Sequence, residues 1–123
     1  MRNNFLERLE FLQKEALDEG IVIDSKSEFA MFSFLEKYNV EKYPLLFLTD
    51  PGQFGTTWRD DSTRITIRFF DNNLVRYSII RKIPDNSEGF SFDCVASEAD
   101  FEEVLRIINN YNLNFLLWDK NEQ

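Results

Sequence analysis

Chemistry in this chain would have to come from carboxylates, arginines and one thiol, because histidine is absent. That absence removes Ser–His and Cys–His catalytic pairs and the commonest zinc ligand. Cys94 is the single cysteine, so no internal disulfide can form, and a reducing, intracellular setting is expected. It lies in the apolar stretch Phe90-Ser91-Phe92-Asp93-Cys94-Val95, where a buried structural thiol is the expectation. The adjacent carboxylates Asp60 and Asp61 read as turn residues, since neighbouring side chains diverge. Glu102 and Glu103 point to different sides of a helix. Glycosidase-like carboxylate pairs form only in three dimensions and leave no local signature. With four glycines and none of the phosphate-loop, dinucleotide, CxxC, HExxH or GxSxG patterns, no catalytic, metal or cofactor residues are assigned. A non-enzymatic domain is expected.

The arginines are more informative, because they are not evenly spread. The net charge is −8, yet residues 59–82 hold six basic and three acidic side chains. Residues 1–58 carry a net −4 and residues 83–123 a net −7. A basic island therefore sits in an acidic chain. Strand alternation sorts it by face. Ile65, Ile67 and Phe69 share one side of a first strand, and Val75, Tyr77 and Ile79 one side of a second. The opposite side gathers Arg64, Arg68 and Arg76 with Phe70 and Ile80. Arginine with aromatic side chains is enriched at interfaces, so these five are candidate partner-binding residues. Read blandly, the same face is ordinary solvated sheet surface.

The acidic counterpart is Glu98, Asp100, Glu102 and Glu103, with Asp85, Glu88 and Asp93 close in sequence. Such a cluster can attract a positively charged partner, and equally can compensate a helix dipole. Trp58 and Trp118 are candidate anchors. Trp58 is expected as a core or sheet anchor and Trp118 as the more accessible of the two.

These residues must be positioned by recognisable elements. Phe5, Leu9, Leu12 and Ala16 recur at helical spacing and predict a helix over 4–19, ended by Gly20. Ser25 with Glu28 resembles a capping box and predicts a second helix from residue 25, closed near Asn39. From Tyr43 the apolar period shortens toward two. Strands are predicted over 44–49, 54–59, 64–70, 74–82 and 90–95, with turns at 50–52, 60–62 and 71–73 and a polar loop at 84–89. Ser97 is expected as N-cap of a last helix, with Asp100 at its N3 position. Residues 113–118 read as either an edge strand or a packed tail, and 119–123 as a frayed end. The order implies one α+β domain: an antiparallel four- to five-stranded meander sheet with two N-terminal helices and one C-terminal helix packed on one face.

At 123 residues the chain can bury roughly two-thirds of its unfolded surface. It shows neither a signal-peptide pattern nor a membrane-length apolar run, so a cytoplasmic protein is expected. Residues 44–52, Pro-Leu-Leu-Phe-Leu-Thr-Asp-Pro-Gly, followed by Trp58 and the alternating run 65–69, resemble a group of small bacterial proteins. Those look like antitoxins or partners in phage-defence gene pairs. The resemblance covers roughly residues 25–70 and carries no catalytic residues. It implies a protein-binding inhibitor of antitoxin, immunity or anti-defence type. Its partner would be a toxin, a nuclease or a nucleic-acid-binding complex. A homodimer formed by sheet contact is a further expectation. The alternative is a nucleic-acid-associated regulator using the arginine face, which the surrounding negative charge disfavours.

Overall fold

A computed structural model describes residues 2–49, 51–71, 73–84 and 89–119. Asp85 and Glu88 of the expected polar loop lie outside the described residues, as do Asp50 and Asn72 of two turns and 120–123 of the expected frayed end. The chain forms helices α1 (Arg2–Glu19) and α2 (Ser25–Lys37), then strands β1 (Leu45–Leu48), β2 (Phe54–Arg59), β3 (Thr63–Asp71), β4 (Leu74–Pro84) and β5 (Phe90–Asp100). Helix α3 (Phe101–Asn110) and a short 3-10 turn (Asn114–Leu116) follow. The strands make one antiparallel sheet in sequential order. The class is α+β, with the helices flanking the meander in sequence as expected.

All three helices stop by one device. Gly20, Asn39 and Asn112 take positive φ angles of 73°, 51° and 60°. Each lets the next residue's N–H reach a carbonyl five residues back: Ile21 to Ala16, Val40 to Leu35 and Leu113 to Ile108, at 2.8, 3.0 and 3.0 Å. Glycine and asparagine tolerate this left-handed conformation, which is why they stand there.

The helix starts differ from the sequence reading. Asp24, not Ser25, caps α2, its Oδ1 accepting from Lys26 N at 3.0 Å and Ser27 N at 3.4 Å. Ser97 caps nothing. Instead β5 runs on to Asp100, which is the N-cap of α3 and accepts from Glu103 N at 2.8 Å. The cause is tertiary. Ala99 pairs with Val75 and is buried beneath the helical layer, so the ladder continues past the local cap signal.

The core lies between the helices and one sheet face. Phe54, Thr56 and Trp58 of β2, Ile65, Ile67 and Phe69 of β3, and Val75, Tyr77 and Ile79 of β4 are all buried there. Helix α2 packs over β2 and β3, α1 over β1, and α3 over β4 and β5. Phe34 of α2 is the hub, with ring centroids of Phe101, Tyr38, Phe69 and Trp58 at 5.3 to 6.4 Å. Ser27 sits fully buried at the α2–sheet seam, accepting from Phe54 N at 2.8 Å and donating to Phe69 O at 2.6 Å. Residues 113–118 are a packed tail, not a strand. Leu117 O accepts from Glu41 N and Lys42 N at 3.0 and 2.9 Å, which docks the tail beside the end of α2. No helix of the described residues is long and apolar enough to cross a membrane.

Candidate binding face

The helices take one side of the sheet and leave the other uncovered among the described residues. The register sets which side chains share that outer face. Arg59 stands opposite Arg64, Arg64 opposite Ile80, and Arg68 opposite Arg76. Ile80 continues to Cys94, and Arg76 to Glu98. Arg64, Arg68, Phe70, Arg76 and Ile80 therefore lie together on one face.

Phe70, on this face by alternation, sits at an irregularity of the ladder. The β3–β4 register shifts between Phe69 and Asp71, leaving Phe70 out of the paired ladder. Its ring is flanked by two guanidinium groups, Arg68 at 5.5 Å and Arg76 at 5.3 Å from the centroid. Cation–π contacts at partly exposed sites are worth about 0.5–1 kcal/mol each. Arg68 also donates from Nη2 to Gln53 Oε1 at 3.1 Å, while its Nε is buried without a hydrogen-bond partner among the described residues. Arg76 donates to Glu98 Oε2 at 2.8 Å. Like charges directly opposite repel across a ladder, and here the ring, the amide and the carboxylate offset that repulsion.

The acidic candidates do not form one surface. Glu98 belongs to β5 and lies on the basic face beside Arg76, not on the helix. Asp100 is occupied as the α3 cap. Glu102 is exposed on the first turn of α3, and Glu103 is half-buried, 3.9 Å from Arg106. Burial foremost, and then the negative charge of Glu103, raises the Tyr77 phenol above its ordinary value.

Neither tryptophan is an open anchor. Trp58 is 3% exposed on the core face and donates from Nε1 to Lys42 O at 2.7 Å. Trp118 is half-buried, its Nε1 donating to Tyr38 O at 3.0 Å. Both indoles tie chain segments together. Cys94 also departs from expectation: it is exposed, because alternation puts it on the uncovered face.

The outer face holds residues that the sequence reading passed over. Arg59, Lys82 and Phe92 are exposed there, and Phe47 lies across Gly55, where any β-carbon would strike its ring. Extending the two-residue alternation from the central hairpin into β2 and β5 would have found Arg59 and Phe92. Among the described residues no group of three or more acidic or cysteine side chains is placed to hold a metal ion. The face offers guanidinium forks and apolar rings, which is chemistry for binding. The chain matches no protein-family model, no curated protein and no solved structure with which it was compared.

Proposed function

We propose that this chain is a non-enzymatic protein-binding domain that engages one partner through the outer face of its sheet. The observation carrying the reading is the one-sided helical cover. Among the described residues it leaves arginines and apolar side chains, including Arg64, Arg68, Phe70, Arg76 and Ile80, on an uncovered five-stranded surface. A small domain gains nothing in folding from leaving such side chains open, whereas arginines and aromatics anchor protein interfaces well. An inhibitor of antitoxin, immunity or anti-defence type is the role that suits a small domain of this kind, working by charge complementarity and apolar anchoring in the cytoplasm.

A nucleic-acid partner fits less well. Glu98 lies on the same face as the arginines, and the chain carries a net charge of −8. A continuous phosphate backbone would meet both.

The test is recovery of the tagged chain from its native host at native level. A stoichiometric protein partner is expected, and it should be lost with the double variant Phe70→Ser, Arg76→Ser in the centre of the face. Recovery of the bare chain, or a partner indifferent to that variant, overturns the reading. Low-salt binding to nucleic acid that disappears on replacing Arg64, Arg68 and Arg76 replaces it with the alternative.

A further inference from the structure

The outer face contains two cross-strand arginine pairs, and they are treated differently. Arg68 and Arg76 have Phe70, Gln53 and Glu98 to offset their repulsion. Arg59 and Arg64, opposite one another where β2 turns into β3, have nothing comparable. Among the described residues neither makes an ion pair, a side-chain hydrogen bond or a ring contact. The nearest carboxylate in sequence, Asp60, is committed to the turn, its Oδ1 accepting from Ser62 N and Thr63 N at 2.9 Å each. Two like charges directly opposite, both exposed, destabilise a sheet. A fold that keeps them there keeps a site that an anion would complete.

The surroundings narrow the anion. Arg59, Arg64 and Lys82 line a depression of about 680 Å³ together with the apolar Ile80 and Phe92 and the carboxylates Asp60 and Asp61. A second depression of about 480 Å³ shares Arg59 and Arg64 and continues to Leu45 and Phe47. The arginine pair thus stands at the junction of two hollows, each with apolar side chains. Phe92 is 65% and Leu45 57% exposed. An extended segment can lay one carboxylate between the arginines and an apolar side chain in each hollow. A guanidinium fork matches a carboxylate in two-point geometry. A nucleic-acid strand suits the site poorly, because Asp60 and Asp61 line the first hollow and would repel the next phosphate, where a peptide can instead place an apolar side chain against Ile80 and Phe92.

We propose that the Arg59–Arg64 corner, with the hollows on either side, is a docking subsite for an extended acidic and aliphatic peptide segment of the partner. This rests on the reading of the outer face as a protein-binding surface, and it names the partner chemistry. It also makes the arginines a cost to the isolated fold. Arg64→Gln should leave the denaturation midpoint unchanged or raise it, which a purely structural arginine would not do.

The experiment titrates isotope-labelled protein with a short acetylated and amidated peptide of the pattern Leu-Ser-Glu-Ser-Leu, which when extended presents one carboxylate between two apolar side chains on one face. A Lys and Leu peptide and a short single-stranded oligothymidine are run in parallel. Saturable amide shifts at Arg59, Arg64, Ile80 and Phe92 are expected with the acidic peptide only. Affinity should fall at least about tenfold in the double variant Arg59→Gln, Arg64→Gln, which removes both guanidinium contacts to the carboxylate, and should fall with added salt. Lys14→Gln, on the far side of α1, should leave it unchanged. Absent or unsaturable shifts, an equal response to the Lys and Leu peptide, or stronger binding of oligothymidine overturns the proposal. Capture of the native partner separates the two claims. If the Arg59, Arg64 variant still captures it while the Phe70, Arg76 variant does not, the corner is wrong and the face stands. If the acidic peptide binds at the corner but no native partner is recovered, the wider reading fails and the corner stands.

Discussion

Arg76 of β4 and Glu98 of β5 face each other across the sheet and close an ion pair at 2.8 Å, joining the basic face to the acidic end of the chain. Both side chains are about half exposed, at 53% and 52%. Water therefore screens the pair, and exposed pairs contribute only about 0.2–1 kcal/mol. Glu98→Gln should lower stability by less than about 1 kcal/mol in urea denaturation, with the loss shrinking at high salt. It should also tighten binding of an acidic peptide, because Arg76 is released to the outer face. A loss well above that bound would show that Glu98 holds the β4–β5 ladder itself.

Ser27 is the small residue on which the helix–sheet seam depends. Its hydroxyl serves Phe54 N and Phe69 O at once, and none of it is exposed. Ser27→Ala keeps the volume nearly unchanged but strands two buried backbone groups. The cost of unsatisfied buried partners is about 1–3 kcal/mol, and the urea midpoint should fall accordingly. A neutral outcome would mean that the seam repacks or admits water.

The expected tail at 113–118 could have been strand or packing, and Leu117 shows why packing won. Its side chain is fully buried while its carbonyl takes the N–H groups of Glu41 and Lys42, in the connection between α2 and β1. Leu117→Ala should destabilise by about 2–5 kcal/mol, the range for truncating a buried leucine. If thermal and urea transitions hardly move, the tail is dispensable to the core.

The central hairpin was readable because both of its strands alternate strongly and one face is fully apolar. Ile65, Ile67 and Phe69 fix the register of β3, and Val75, Tyr77 and Ile79 that of β4, so the arginine side followed by elimination. β5 was readable only in part. Its outward residues Phe92 and Cys94 are apolar yet exposed, so apolar character pointed inward where geometry points outward. Ser97 offered a good cap, but the buried partnership of Ala99 with Val75 outweighs it, and Glu98 moved from helix to sheet as a result. The Arg59–Arg64 juxtaposition needs the turn geometry that Asp60 fixes through Ser62 and Thr63. Composition alone does not carry that.

Tyr77 gives the fold an alkaline limit. Burial foremost, then the negative charge of Glu103 and the neighbouring Tyr111, pushes its phenol above the ordinary 10.0. The unfolded chain therefore loses this proton first. Stability from the neutral phenol is fully present below about pH 10 and falls as pH rises toward the folded value. Urea midpoints measured from about pH 9 upward should decline, and Tyr77→Phe should remove part of that decline while keeping the ring. Glu103→Gln should reduce it less, since burial is the larger cause. An identical alkaline slope in wild type and Tyr77→Phe would remove Tyr77 as a source.

Cys94 turns the open face into something that can be read directly. It stands opposite Ile80 on β4, two residues along β5 from Phe92, and is exposed. A thiol in that position should react with a disulfide reagent in the native state, at a rate within a few-fold of the unfolded chain, since access and thiolate character set the rate. Reaction seen only on unfolding would mean that the face is covered. The same thiol then reports docking. A segment seated along Ile80 and Phe92 should slow the modification in proportion to its occupancy, whereas a partner bound to the helical side should leave the rate alone. Comparing the acidic peptide with its basic counterpart in this assay tests the location of binding without relying on the affinity of either.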